Sequence, residues 1–316
     1  MPSAQPLPDL QTVFGFGVAG NFAGHLEQAG EAADFVGVGD AHAVAPKGIF
    51  PWFVPAPEGE QLADLQTAPG ADPFDAGPDG IPTFLRTFPI DADEVVRPAG
   101  EAVNLQIEPE VGLLARADYD PSTGAVTALQ PVAISAFNDC SIRRPGAEKI
   151  SHKKNWGAST KGLSRTLIPL DSLDPAGLTS TYRLACFLRR AGETSAYGVD
   201  SAVPDYSYYG QTLLDWLVDR LAHQHGAPET PLEPVGEYLR AAGNPSHVLI
   251  GIGATRYTAL GETTFLEVGD EAIVIVYNAD ETPADAVEQA AREGREDELT
   301  GASVLRQRVV GAAPSP

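Results

Sequence analysis

The sequence predicts an α+β protein: a β-rich roll of mixed sheets with a small N-terminal lobe and a few peripheral helices. Strand-like runs outnumber helical ones, and the helices do not alternate with the strands as they do in βαβ proteins. At 316 residues, of which 43% are hydrophobic and 20% charged, the chain can bury a sizeable core. It is expected to form one large domain, or a main domain with a smaller companion.

Residues 1–60 are expected to form the small N-terminal lobe. A short strand pattern and glycine-rich turns lead into a short helix near His25, in the stretch "TVFGFGVAGNFAGHLEQAG". The glycines of "GFGVAG" lack the G-x-G-x-x-G spacing with a downstream acid, so dinucleotide binding is rejected. Residues 61–82 are dense in Pro, Gly and Asp, which predicts a loop.

Residues 83–280 are expected to form the β-rich core. A β-hairpin or meander is predicted from two strand-like runs on either side of "DPSTG", namely "AVNLQIEPEVGLLARADY" and "AVTALQPVAISAFND". Further strands are predicted in "STYRLACFLRRAG", "SHVLIGIGAT" and "DEAIVIVYN". Helices are predicted in "SYYGQTLLDWLVDRLAHQ", whose leucines recur at helical spacing, and in "LEPVGEYLRAAGN". Residues 281–316 predict a polar C-terminal helix and a tail.

The overall charge is strongly acidic and limits the classes of partner. With 43 Asp and Glu against 21 Lys and Arg, the formal net charge is −22, which argues against nucleic acid and anionic membranes as partners. Only two cysteines are present, no charged start of a signal peptide precedes Lys47, and no apolar run approaches the ~18 residues of a membrane span. We therefore expect a soluble cytoplasmic protein.

Three acidic residues could share one site. Glu108 and Glu110 are separated only by Pro109 and would point to the same face of a strand. Asp139 ends the next strand of the predicted hairpin, so it can approach the two glutamates. Such carboxylates suit Mg²⁺, which is bound by oxygen ligands. The alternative for the glutamate pair alone is an exposed face of an edge strand, which Pro109 would also tolerate.

Basic residues are concentrated in one segment of this acidic chain. Arg143, Arg144, Lys153 and Lys154 lie close together in sequence, and Lys161 follows. One interpretation is that these side chains receive an anionic substrate beside the metal. The other is a solvated loop that offsets local negative charge, or part of a dimer interface.

Several motifs, in this order, resemble the fumarylacetoacetate hydrolase (FAH) superfamily. The stretches "IEPEVGLLA", "AISAFNDCSIRRPG" and "NWGASTKG" are similar to that family's E-x-E-L-A, N-D-[VYC]-[ST]-A-R-D and W-x-x-x-K-[GS]-F motifs. "GNFAGHLEQAG" and "PKGIFPWFVP" resemble its N-terminal motifs, and "TTFLEVGDEAIVIVYN" resembles a late turn and strand. The resemblance runs from about Val13 to Asn278 and implies an FAH-like β-roll.

The resemblance implies a function and roles for particular residues. Glu108, Glu110 and Asp139 would bind Mg²⁺ or Mn²⁺, Lys161 would hold the substrate carboxylate or stabilise an oxyanion, and His25 would be the general base on a mobile N-terminal helix. The implied reaction is hydrolysis or decarboxylation that cleaves a C–C bond of a small 2-oxo or β-dicarbonyl acid through a metal-bound enolate. Hydration or isomerisation on the same scaffold is an alternative, as is a non-catalytic protein that binds carboxylates. The resemblance also implies a homodimer.

The sequence departs from the family pattern at several positions. The family often pairs the histidine with a glutamate three residues later, whereas this chain has Gln28 there, with Glu27 and Glu31 as nearby substitutes. Lys153 and Lys154 compete with Lys161 for the role of the active-site lysine. In "GIGATRY", Thr255 is expected at the floor of the site, although the glycines there could equally serve packing beside a strand.

Overall fold

The structure, a computed structural model, describes residues 8–31, 45–65, 72–99, 103–143, 147–227 and 230–312. Arg144 and residues 66–71 of the predicted loop lie outside these ranges. The predicted α+β class is confirmed: the protein consists of strongly curled mixed sheets with a few helices. The described strands are β1 (Phe14–Ala19), β2 (Gly48–Phe53), β3 (Glu94–Arg97), β4 (Leu105–Gln106), β5 (Pro109–Tyr119), β6 (Val126–Asn138), β7 (Ser141–Ile142), β8 (Gly162–Leu163), β9 (Ile168–Pro169), β10 (Tyr182–Arg190), β11 (Glu193–Ala202), β12 (His247–Gly251), β13 (Glu271–Asn278) and β14 (Ser303–Gly311).

Helices cover the sheets and are mostly short. The described α-helices are α1 (His25–Gln28), α2 (Gly210–His223), α3 (Val235–Ala241), α4 (Ala259–Thr263) and α5 (Ala284–Glu293). Short 3-10 helices occupy Leu10–Thr12, Leu62–Leu65, Thr83–Arg86, Ile150–Lys153, Leu178–Thr181, Val203–Asp205 and Glu296–Glu298. No helix in these ranges is long and apolar enough to cross a membrane.

The larger sheet has seven strands and contains the predicted hairpin. Its order is β2-β1-β12-β5-β6-β8, and β9 also pairs with β6. Strands β5 and β6 are antiparallel, as the two apolar runs around the turn predict. Pro109 at the start of β5 faces Asn138 at the end of β6, so the residues beyond these two positions meet at the same edge of the sheet.

The N-terminal strands belong to the same sheet. Strand β1 pairs with β12 in parallel and with β2 antiparallel. The division into an N-terminal lobe of residues 1–60 stays a prediction. The glycines of β1 serve packing: a Cβ at Gly15 would lie 2.2 Å from the Trp52 ring, and one at Gly17 would lie 2.4 Å from Phe50. The glycine-rich stretch therefore lets two large aromatic side chains pack directly against the strand.

The second sheet has five strands in the order β11-β10-β13-β14-β3. Strands β10 and β13 correspond to predicted strands and pair antiparallel. Residues 303–311 differ from the expected C-terminal tail, because they form β14 between β13 and β3. Alternate residues of β14 such as Leu305 and Val309 are buried, and this period of two identifies the stretch as a strand.

The amphipathic helix that the leucine spacing predicts is α2. Its buried face includes Leu214, Leu217 and Leu221. Helix α3 crosses it closely, because Gly236 has no side chain where a Cβ would lie 1.9 Å from the Leu221 carbonyl oxygen. Strand β4 precedes β5 and strand β7 follows β6. The two pair antiparallel in a short sheet beyond the edge where β5 and β6 end.

Candidate metal centre

Three buried carboxylates meet at the end of the hairpin. Glu108 precedes β5, Glu110 lies in it, and Asp139 follows β6, where its backbone N–H donates to the Glu108 carbonyl oxygen at 3.0 Å. One carboxylate oxygen from each residue lies within 4.8 Å of the others, and all three side chains are buried. The structure thus brings together the three residues that the sequence predicts as metal ligands.

The Glu110 carboxylate lies in a cradle formed after β12. The Gly253 N–H donates to Glu110 Oε2 at 3.0 Å. A Cβ at Gly251 would lie 2.4 Å from the same oxygen, so only glycine leaves room for the carboxylate. Burial, and next the charge of Asp139, raise the pKa of Glu110 well above its usual value.

Two lysines reach the carboxylates. Lys154 Nζ lies 2.6 Å from Glu108 Oε2 and 2.8 Å from Asp139 Oδ2, and Lys161 Nζ donates to Asp139 Oδ1. Burial opposes the charge of Lys154, but Asp139 and Glu108 outweigh it and raise the lysine's pKa. Burial lowers the pKa of Lys161 in spite of Asp139. Lys153 differs from both, because its Nζ lies 2.8 Å from Glu31 Oε1.

Arg143 connects the acidic cluster to the N-terminal segment. Its guanidinium donates to Gln106 Oε1 at 2.6 Å, to Glu31 Oε1 at 2.6 Å and to the Tyr257 hydroxyl at 3.0 Å, and it lies 2.7 Å from Glu108 Oε1. Burial raises the pKa of Glu31, yet Arg143 and Lys153 together outweigh it, so that the pKa falls to about 2. Burial likewise opposes ionisation of Glu108, and Arg143 with Lys154 nevertheless holds that pKa well below its usual range.

His25 lies at the start of α1 and is buried. Its Nδ1 lies 2.8 Å from the Thr255 carbonyl oxygen, and its ring centroid lies 5.2 Å from that of Tyr257. Burial lowers the pKa of His25, an effect that Glu108 partly offsets. The Thr255 side chain is also buried, and its hydroxyl has no hydrogen-bond partner among the residues that the structure describes.

Glu27, Gln28 and Glu31 follow His25 in sequence, and their side chains have different surroundings. The Gln28 side chain accepts from the Tyr257 backbone N–H at 2.9 Å and donates to the Tyr257 carbonyl at 3.1 Å, so it holds the backbone rather than the imidazole. Glu27 is exposed to solvent. Glu31 is the buried acid of this segment, and its partners are Arg143 and Lys153.

Gln106 and Tyr257 contact Arg143 in the candidate site and are not predicted from the sequence. Gln106 lies two residues before Glu108, the same spacing that separates Glu108 from Glu110, and its amide also donates to the Gly261 carbonyl at 2.6 Å. Tyr257 follows the "GIGAT" stretch and donates to the Ile107 carbonyl at 2.8 Å. A weak signal for both is their proximity in sequence to residues already assigned to the site.

The donor set fits a divalent cation. The triad offers oxygen atoms only, which is what Mg²⁺ and Mn²⁺ prefer. Glu108 Oε1 and Asp139 Oδ2 are buried and have no hydrogen-bond donor with good geometry in the described part of the chain, although both lie in ion pairs. Buried carboxylate oxygens of this kind are usually satisfied by donors or by a metal.

The fold and the site define a β-rich α+β protein with a buried cluster of three carboxylates whose oxygen atoms could hold a metal ion. The chain belongs to a family described as "Family of unknown function (DUF5718)", whose model matches residues 31–309. No curated protein matches the sequence.

Several solved structures resemble this chain weakly. A protein provisionally assigned as HpcE from Mycobacterium smegmatis has a TM-score of 0.48 and 19% identity, with 99% of this chain and 83% of that chain covered. For 5-carboxymethyl-2-hydroxymuconate delta-isomerase from Mycobacterium smegmatis, the values are 0.42, 13%, 95% and 79%. For 2-keto-3-deoxy-D-arabinonate dehydratase they are 0.42, 10%, 95% and 74%. These neighbours are FAH-superfamily-like proteins. At such low TM-scores and identities, neither a superfamily nor an activity is transferred to this chain.

Proposed function

We propose that this protein is a divalent-metal-dependent hydrolase or decarboxylase that cleaves a C–C bond in a small 2-oxo or β-dicarbonyl acid. The observation that carries the proposal is the buried triad, whose three carboxylates lie within ligand distance of one another. Mg²⁺ or Mn²⁺ would be held by Glu108, Glu110 and Asp139. When bound, it would supply Lewis-acid stabilisation of the negative charge that develops on the substrate's oxygens.

His25 is suited to accept a proton. A carbonyl oxygen can only accept a hydrogen bond, so the contact with Thr255 requires the hydrogen on Nδ1. The lowered pKa keeps the ring neutral, which leaves a lone pair on Nε2. In this state His25 can act as the general base that activates water.

The basic side chains could hold the carboxylate of an anionic substrate once a bound metal ion takes over their acidic partners. Arg143, Lys154 and Lys161 are buried within the same cluster and are held by its acids. In a site shielded from water, such charges attract a carboxylate more strongly than they would at a surface. We assign Lys161 to the substrate carboxylate, with Lys153 and Lys154 as the other candidates, and Thr255 to the floor of the site.

A non-catalytic protein that binds carboxylates is the second candidate. Gln28 favours it, because both polar atoms of this side chain are used on the Tyr257 backbone and it cannot stabilise an imidazolium as a glutamate would. Under both proposals the protein is a cytoplasmic homodimer, and light scattering of the purified chain would test the dimer.

Metal titration and substrate turnover test the proposal together. We expect Mn²⁺ to bind chelator-treated protein and to raise its midpoint of thermal unfolding, and Glu110→Gln to abolish both effects. Glu233→Gln is the matched control, because Glu233 is equally buried and lies outside the triad, with its Oε1 accepting from Ser151 at 2.7 Å.

Turnover separates the two candidates. Metal-dependent cleavage of an acylpyruvate or of oxaloacetate that His25→Ala abolishes would support the enzyme. Metal binding without turnover of these acids would favour the carboxylate-binding protein. If Glu110→Gln binds Mn²⁺ as the wild type does, the metal centre is wrong.

A further inference from the structure

The ammonium group of Lys154 lies within the carboxylate cluster. Its Nζ contacts two of the three triad residues, at 2.6 Å from Glu108 and 2.8 Å from Asp139. On another side, Nζ lies 5.1 Å from the centroid of the Phe50 ring, a distance typical of a cation–π contact. The lysine side chain is 3% exposed, so its charge is stabilised by these neighbours rather than by water.

The acidic and basic side chains of the cluster balance one another. Glu31, Glu108, Glu110 and Asp139 face the same number of cationic groups, which are Arg143, Lys153, Lys154 and Lys161. The balance is the same if Glu110 and Lys161 are both neutral, since one charge of each sign is lost. A divalent ion would therefore add positive charge to a cluster that is already compensated.

The added positive charge would lie close to the Lys154 ammonium. An ion about 2.1 Å from the Glu108 and Asp139 oxygens that Lys154 contacts could lie no farther than about 5 Å from Nζ. Two positive charges at that separation in a buried site repel strongly. The four-carbon stem of lysine is flexible, so the ammonium can move away while the carboxylates remain in place.

We propose that Lys154 is a resident counter-ion of the acidic triad, which a divalent ion must displace, so that this lysine sets the affinity of the site for metal. The inference rests on the proposed metal centre. It assigns Lys154 a role distinct from that of Lys161, whose contact is with Asp139 alone within the triad. Without Lys154 the triad keeps an excess of negative charge, and a cation binds it more tightly.

The test is isothermal titration of full-length, chelator-treated protein with Mn²⁺. We expect the Kd of Lys154→Met to fall at least about tenfold below that of the wild type, because a competing charge is removed. Lys154→Gln keeps a hydrogen-bond donor without the charge and should show the same gain, so the test stands even if the methionine variant folds poorly. Lys153→Met is the matched control: it removes an adjacent buried ammonium that pairs with Glu31, and its Kd should stay within about threefold of the wild type.

A second readout follows from the unpaired acids. In chelator, the Lys154 variants should unfold at a lower temperature than the wild type, and saturating Mn²⁺ should restore most of the difference. If both Lys154 variants bind Mn²⁺ as tightly as the wild type or more weakly, the inference is wrong, but the proposed metal centre is not contradicted. An equal gain in Lys153→Met also overturns it, because the effect would then be one of general charge. No Mn²⁺ binding by any variant overturns both the inference and the metal centre.

Discussion

Gly251, at the end of β12, determines where the Glu110 carboxylate can lie, and Gly251→Ala tests the geometry of the triad. The added Cβ would lie 2.4 Å from Glu110 Oε2 and 3.0 Å from Phe137 Cε1. Since real Cβ atoms do not approach other atoms so closely, the carboxylate or the strand must move. Either movement lengthens the 3.0 Å hydrogen bond from Gly253 to Glu110.

The magnitude follows from two contributions. Overpacking a buried site by one methyl group costs about 1–3 kcal/mol. Loss of one hydrogen bond to a buried acid costs about 1 kcal/mol more. We therefore expect the free energy of unfolding in chelator to fall by about 2–4 kcal/mol, and the Kd for Mn²⁺ to rise about 10- to 100-fold, as for other changes that misplace a ligand's support.

Urea unfolding and Mn²⁺ titration measure the two effects separately. Gly311→Ala is the matched control: Gly311 also ends a strand, and a Cβ there would meet its nearest neighbour, Val268 Cγ2, at 3.8 Å. If Gly251→Ala leaves both the unfolding free energy and the Kd at the control's values, Glu110 does not lie against β12 and the described triad geometry is refuted.

Three further changes test the surroundings of the site by urea unfolding. Gln28→Glu should lower the unfolding free energy by about 1–3 kcal/mol, because a carboxylate cannot donate to the Tyr257 carbonyl; unchanged stability would contradict the described contact. Glu31 has a folded-state pKa of about 2, below its ordinary 4.5, so Glu31→Gln should destabilise by about 3 kcal/mol at pH 7 and by progressively less as the pH falls from 4.5 towards 2. If the difference in unfolding free energy between Glu31→Gln and the wild type stays constant down to pH 2, the pairing of Glu31 with Arg143 does not depend on ionisation. The pKa of Glu233 shifts in the opposite direction, because burial raises it to about 8. The free energy of unfolding of the wild type should therefore decline as the pH rises from 4.5 to 8, and Glu233→Gln should remove that decline. Parallel pH profiles of the two proteins would argue against a buried neutral acid.

Local patterns are sufficient to predict the framework of the site. Two apolar runs joined by a short turn are antiparallel if they pair, and this pairing places the end of β6 beside the start of β5. The approach of Asp139 to Glu108 and Glu110 thus follows from short-range sequence alone. The strand β14 was missed because its alternation, in "SVLRQRVVG", combines buried aliphatic residues with arginine and glutamine.

The basic residues that pair with the acids of the cluster cannot be predicted from local sequence patterns in this way. Lys153, Lys154 and Lys161 are close in sequence, but the 3-10 turn at Ile150–Lys153 sends adjacent lysines to different acids. Which lysine meets which carboxylate depends on loop geometry that no periodicity encodes. Glu31 is a similar case, because its contact with Arg143 joins residues far apart in sequence.

The distribution of lysines gives the acidic composition a structural meaning. Four of the chain's five lysines fall between Lys149 and Lys161, and Lys153, Lys154 and Lys161 are buried against acids. Burying an ammonium is costly unless it is paired, and burying carboxylates without cations is equally costly. A cluster built this way is stable without a metal, in contrast to a site of carboxylates alone, which would need the ion in order to fold. If the proposed metal centre is correct, we expect the protein to fold without metal, and we expect metal binding to exchange one cation for another at Lys154.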